Sequence, residues 1–130
     1  MPDPLLVVDA ANVVGSVPDG WWRDRPGAAI RLRDRLVPTT TAGLPAVPGS
    51  AALPGPVEVA LVVEGKARDI PEIPGVRVER APGSGDDTIV DVVRAAGPDR
   101  RVVVVTADRG LRGRVTALGG EVRGPSSIPR

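Results

Sequence analysis

The sequence has no cysteine and no histidine. Without cysteine there are no disulfides, thiolate metal sites or thiol nucleophiles, which fits a reducing compartment. Without histidine the commonest general base is gone, and with it histidine-based triads and imidazole metal ligands. Phe and Tyr are also missing and the aromatic share is 2%, so the core must be built from Val, Leu, Ile and Ala. Neither sign of charge is in excess: 17 Lys and Arg face 16 Asp and Glu, a net +1. Any nucleic-acid binding must then rest on local patches. No apolar run approaches the roughly 20 residues of a membrane span. The segment Met1-Pro2-Asp3-Pro4 leads into the first strand without the basic region of a signal peptide. One cytoplasmic, membrane-free domain over residues 1–130 is expected. Its chemistry must use carboxylates, arginine, lysine, hydroxyls or a bound metal.

What is present is a series of apolar runs. Leu5-Leu6-Val7-Val8, Val57–Val63 and Arg101–Thr106 read as strands, and unbroken apolar runs suit parallel strands covered on both faces. Val76–Arg80 alternates like an edge strand, and Glu121–Arg123 is a short last strand. Helices are expected over 27–36, where Ala29, Leu32 and Leu36 share a face, over 88–96, with Ile89, Val92, Val93 and Ala96 inward, and over 109–118. Strands alternating with helices argue for a parallel sheet in a three-layer α/β/α sandwich. Residues 37–56 hold five prolines and three glycines, a composition that predicts a flexible loop without helix or central strand. The connection 65–75 has room for one short helical turn, and the tail 124–130 is expected to fray.

Three apolar strands finish at acids: Val8-Asp9, Val63-Glu64 and Thr106-Ala107-Asp108. In a parallel sheet these ends share one edge, which in open α/β sheets faces the ligand crevice. Asp86 and Asp87 open the helix after the third strand, so they start from the same edge. Each acid alone has a plainer reading as a helix cap or loop end, strongest for Asp86. Together they would repel one another without a cation. Carboxylates and water are what Mg²⁺ or Mn²⁺ prefers, and zinc lacks its usual ligands here. The chemistry that fits is metal-assisted phosphodiester hydrolysis, in which a metal-bound water of lowered pKa replaces the missing histidine base.

The segments Asp9-Ala10-Ala11-Asn12-Val13-Val14-Gly15, Gly85-Asp86-Asp87-Thr88-Ile89-Val90 and Val105-Thr106-Ala107-Asp108-Arg109-Gly110-Leu111 resemble the motifs of NYN domains, part of the PIN-like ribonuclease superfamily. The resemblance spans about residues 5–123 and lies in the order and spacing of the motifs. It implies strand order 3-2-1-4-5 and a divalent-metal nuclease acting on RNA. By motif, Asp9 and Asp108 would be metal carboxylates, Asn12 would orient substrate or water, and Asp86 or Asp87 would be the helix-start acid. Glu64 matches less closely. The expected catalytic set is Asp9, Asn12, Asp87 and Asp108, with Glu64 and Asp86 as further metal ligands. The sequence departs from the family pattern after the fourth strand, where the usual acidic pair is Asp108 followed by Arg109-Gly110.

Arg23, Arg25, Lys66, Arg68, Arg109, Arg112 and Arg114 flank the acidic strand ends and can hold RNA phosphates, or simply form a solvated surface. Trp21-Trp22 can stack bases, although a loop tryptophan more often packs against its own domain. Gly83-Ser84-Gly85 lacks the lysine of a triphosphate-binding loop. The rival readings are a degenerate domain that binds RNA or protein, and a phosphatase or nucleotide pyrophosphohydrolase acting on a small substrate. Ala11, where haloacid-dehalogenase phosphatases carry a second Asp, speaks against such a phosphatase. The partner is expected to be RNA, and the sequence leaves room for a homodimer.

Overall fold

The computed structural model describes residues 2–129. Its elements in chain order are β1 (Leu5–Asp9), α1 (Ala10–Gly15), α2 (Arg25–Arg35), α3 (Val37–Ala42), β2 (Gly43–Leu44) and β3 (Leu53–Pro54). They continue with β4 (Glu58–Val63), β5 (Val76–Arg80), α4 (Gly85–Ala96), β6 (Val102–Val105), α5 (Arg109–Ala117) and β7 (Glu121–Arg123). Five strands form one parallel sheet, ordered β5-β4-β1-β6-β7. Numbered by its own members along the chain, that is the order 3-2-1-4-5, and the architecture is the expected three-layer sandwich.

Burial on both faces follows from the strand period of two. Leu6, Val8, Leu61, Val103 and Val105 face one way, against Ala29, Leu32 and Leu36 at α2. Leu5, Val7, Ala60, Val62 and Val104 face the other, against Ile89, Val90 and Val93 of α4 and Leu111 and Val115 of α5. In α4, Val90 is fully buried and Val92 and Ala96 partly, a stripe turned slightly from the expected one. Side-chain caps fix the helix starts: Asp24 accepts from the Gly27 N–H at 3.0 Å, Ser84 from Asp86 at 3.2 Å and Asp108 from Leu111 at 2.9 Å. No helix among the described residues is long and apolar enough to cross a membrane.

Residues 37–56 depart from the structureless loop read from composition. They contain α3 and the two-residue antiparallel pair β2–β3. Pro38 sits in the first turn of α3, where a missing N–H breaks no helical bond. Leu44 and Leu53 are buried in the core. The stretch between them is held by arginines of the sheet: Arg123 donates to the carbonyls of Pro45 (2.8 Å) and Ala51 (2.6 Å), and Arg101 to those of Ala52 (2.7 Å) and Ala51 (3.0 Å). The segment thereby covers the β6 side of the sheet on the α2 face. The tail also differs from expectation: residues 125–127 form a 3-10 turn and Ile128 is buried in the core. Arg130 lies outside the described residues.

Candidate functional site

Because β1, β4 and β6 run parallel, Asp9, Glu64 and Asp108 emerge at one sheet edge, where α4 also begins. Asp9 is 5% exposed. Its Oδ2 accepts from the Thr106 hydroxyl at 2.9 Å, and its Oδ1 lies 3.5 Å from the Asn12 N–H. The Thr106 Oγ1 in turn accepts from the Asp108 N–H at 3.1 Å, so a single hydroxyl ties the two acidic turns together. Asn12 makes a second tie, its Oδ1 accepting from the Ala107 N–H at 2.7 Å. This geometry leaves the Asn12 side-chain N–H groups available to donate.

Burial raises the Asp9 carboxyl to about 6; the bonds from Thr106 and Asn12 pull the other way, and the charges of Asp86 and Glu64 add to the rise. Asp86 is also raised, first by burial and then by Asp108, against the opposing pull of Arg114. Glu64 borders the same place: a Cβ at Gly85 would stand 3.1 Å from its Oε1. Asp9, Glu64, Asp86 and Asp108 thus feel one another across the β1, β4 and β6 ends.

Asp87 is placed differently. Its side chain is 80% exposed and pairs with Arg114 at 3.0 Å. Asp108 caps α5, and Asp9 accepts, at long range, from the first turn of α1. The plain cap reading and the site reading therefore coexist in these two residues. Among the described residues no three acidic side chains are grouped to hold one ion between them. Mg²⁺ usually keeps several waters and takes one or two carboxylates. The all-oxygen donor set therefore fits a water-rich ion held by a pair of acids, and not a closed carboxylate cage.

The basic residues lie on the turns and first helical turns around this edge, Arg109 and Arg112 at the start of α5. Lys66, Arg68, Arg109 and Arg112 are exposed, and Arg68 donates to the Pro82 carbonyl at 3.4 Å. Arg23 stacks over Trp22 (5.9 Å) and Arg25 over Trp21 (5.5 Å). Trp22 is 52% exposed, while Trp21 is half-buried. Trp21 also lines a cavity of about 330 Å³ with Ala10, Ala11, Arg25, Ala29 and Glu64. Thr106 and Arg114 are the contributors that the sequence did not single out for these contacts. Thr106 stands two residues before Asp108, the one visible signal that its hydroxyl belongs to the turn.

No family model matches the chain, and no curated protein matches it either. Among solved structures it is similar to Rae1 (YacP) from Bacillus subtilis, in a W164L mutant, with TM-score 0.70 and 15% identity over 95% of this chain and 70% of that one. At that identity the likeness establishes the shared fold.

Proposed function

We propose that this chain is a divalent-metal-dependent ribonuclease that hydrolyses RNA phosphodiester bonds at the acidic edge of its sheet. The observation that carries the reading is Asp9: a buried carboxylate, pinned by Thr106, with the charges of Glu64 and Asp86 acting on it and Asp108 tied to the same hydroxyl. A fold without a ligand has little reason to keep so unfavourable a charge, and perturbed acids gathered at one sheet edge point to a site. The likeness of its motifs to NYN domains supports the same reading.

Mg²⁺ or Mn²⁺ would sit among Asp9, Asp86, Asp108 and Glu64, with a pair of these acids holding it directly and the others acting through its bound water. When bound, the ion supplies a water acidic enough to attack phosphorus and offsets charge on the phosphate. The protein's own residues do the rest. Thr106 fixes the Asp9 carboxylate, and the bond from Ala107 to Asn12 turns the Asn12 amide N–H groups toward substrate or water. Lys66, Arg68, Arg109 and Arg112 supply positive charge for the RNA backbone. Asp86 takes the helix-start role, since Asp87 is engaged with Arg114.

The absence of a three-acid grouping among the described residues favours a second reading, in which the fold binds RNA without cleaving it. Titrating Mn²⁺ and Mg²⁺ into labelled single-stranded RNA separates the two, with wild type beside Asp9→Asn, Asp86→Asn and Asp108→Asn. The nuclease reading expects metal-dependent cleavage that all three variants lose. RNA retention without turnover in wild type would leave the binding module.

A further inference from the structure

We propose that the cavity walled by Trp21 is a nucleobase pocket, which seats one base of a single-stranded RNA beside the acidic centre. The inference rests on the ribonuclease reading for its substrate class and goes beyond it in naming where a base sits.

The cavity of about 330 Å³ is lined by Ala10, Ala11, Val14 and Ala29, with the Trp21 ring, Arg25 and Glu64 at its sides. That volume lies in the range of small-molecule sites, which are largely apolar with a few convergent polar groups. Alanines on α1 and α2 are what open the space. Ala11 is exposed on α1, so its small side chain is not imposed by core packing. Trp21 is flanked on two sides: its ring meets Trp22 edge-on, centroids 5.9 Å apart, and Arg25 covers it at 5.5 Å. An indole flanked by a guanidinium is a stacking platform with a phosphate donor attached.

The pocket also adjoins the acidic centre. Ala10 follows Asp9 directly, and Glu64, whose charge reaches Asp9, lines the cavity. A base seated on Trp21 would lie one side chain from the proposed reacting phosphate. The Glu64 carboxylate would accept from an exocyclic base amine, as carboxylates do with cytosine. A duplex keeps its bases stacked inward, so such a pocket selects single strands.

The test uses the full chain with Trp22→Phe, which leaves Trp21 as the single tryptophan. The four ribonucleoside 5′-monophosphates and a short single-stranded RNA are titrated in chelator, with Trp21 fluorescence as the readout. Saturable quenching is expected, and adding Ala11→Leu should weaken it by about tenfold or more, as loss of a stacked base does. Ala11→Leu lies on an exposed helical position, so circular dichroism and melting should match the parent. Absence of quenching, or quenching that Ala11→Leu leaves unchanged, overturns the pocket. Without metal no cleavage is involved, so binding without later turnover would sink the nuclease and keep the pocket. Turnover of single-stranded RNA with an unchanged KM in Ala11→Leu would do the reverse.

Discussion

Asp9→Asn should stabilise the protein at neutral pH while abolishing the proposed activity. The folded state holds the Asp9 proton more tightly than the unfolded chain, about 6 against the ordinary 3.8. Stability is therefore unaffected by this group below about pH 4 and falls as pH rises toward 6, where folding must accommodate a buried carboxylate. A gap of roughly two units, at about 1.4 kcal/mol each, amounts to about 3 kcal/mol above pH 6. Asn cannot ionise, and its amide oxygen can still accept from Thr106, so most of that penalty should vanish. For a domain of this size the gain corresponds to roughly ten degrees in melting temperature. The assay is thermal and urea unfolding of both proteins in chelator, from about pH 4 to about pH 8. The two curves should converge at the acidic end and separate between pH 4 and 6. A variant that is no more stable at any pH, or whose gain does not grow with pH, would refute the account of Asp9 as a strained charge. Mn²⁺ should then raise the melting temperature of wild type and leave Asp9→Asn unmoved, because only a folded site binds it.

Thr106→Val keeps the shape but removes the hydroxyl that serves both Asp9 and Asp108; it should move the acidic limb of the cleavage pH profile upward and lower kcat more than it raises KM. Asp87→Asn should leave cleavage near the wild-type rate while Asp86→Asn removes it, since Asp87 faces Arg114; parallel rate measurements decide. Arg123→Ala strips donors from the Pro45 and Ala51 carbonyls and the Ser50 hydroxyl; a loss of about 1–3 kcal/mol and faster amide exchange over residues 45–52 are expected. Gly43→Ala should unfold the β2–β3 pair, because φ is +69° and an added Cβ would lie 1.9 Å from the Leu53 carbonyl oxygen; a melt will show it.

The apolar runs at Leu5–Val8, Val57–Val63 and Val102–Val105 announced their strands because burial on both faces removes any alternation. The acids stood at the strand ends in plain sight. Which of Asp86 and Asp87 turns inward was not legible, since neighbours on a helix point about 100° apart and the phase is set by how α4 packs. Thr106 was hidden for a similar reason: its partner Asp9 is 97 residues away. Residues 37–56 were misread because proline content was counted apart from position. The donors that order the segment come from Arg101 and Arg123, far along the chain, and no local pattern could show them.

The placement of β1 has a kinetic consequence. This strand is buried along its whole length and makes no ladder bond to a sequence neighbour: Leu5 pairs with Glu58 on one side and Val102 on the other. Both edges of β1 stay open until two distant segments have been brought in, and such long-range closure slows folding. Until then Leu5–Val8 is a sticky template for any passing strand. Misassembly should begin there, and refolding yield should fall with protein concentration well before the finished molecule shows any tendency to associate.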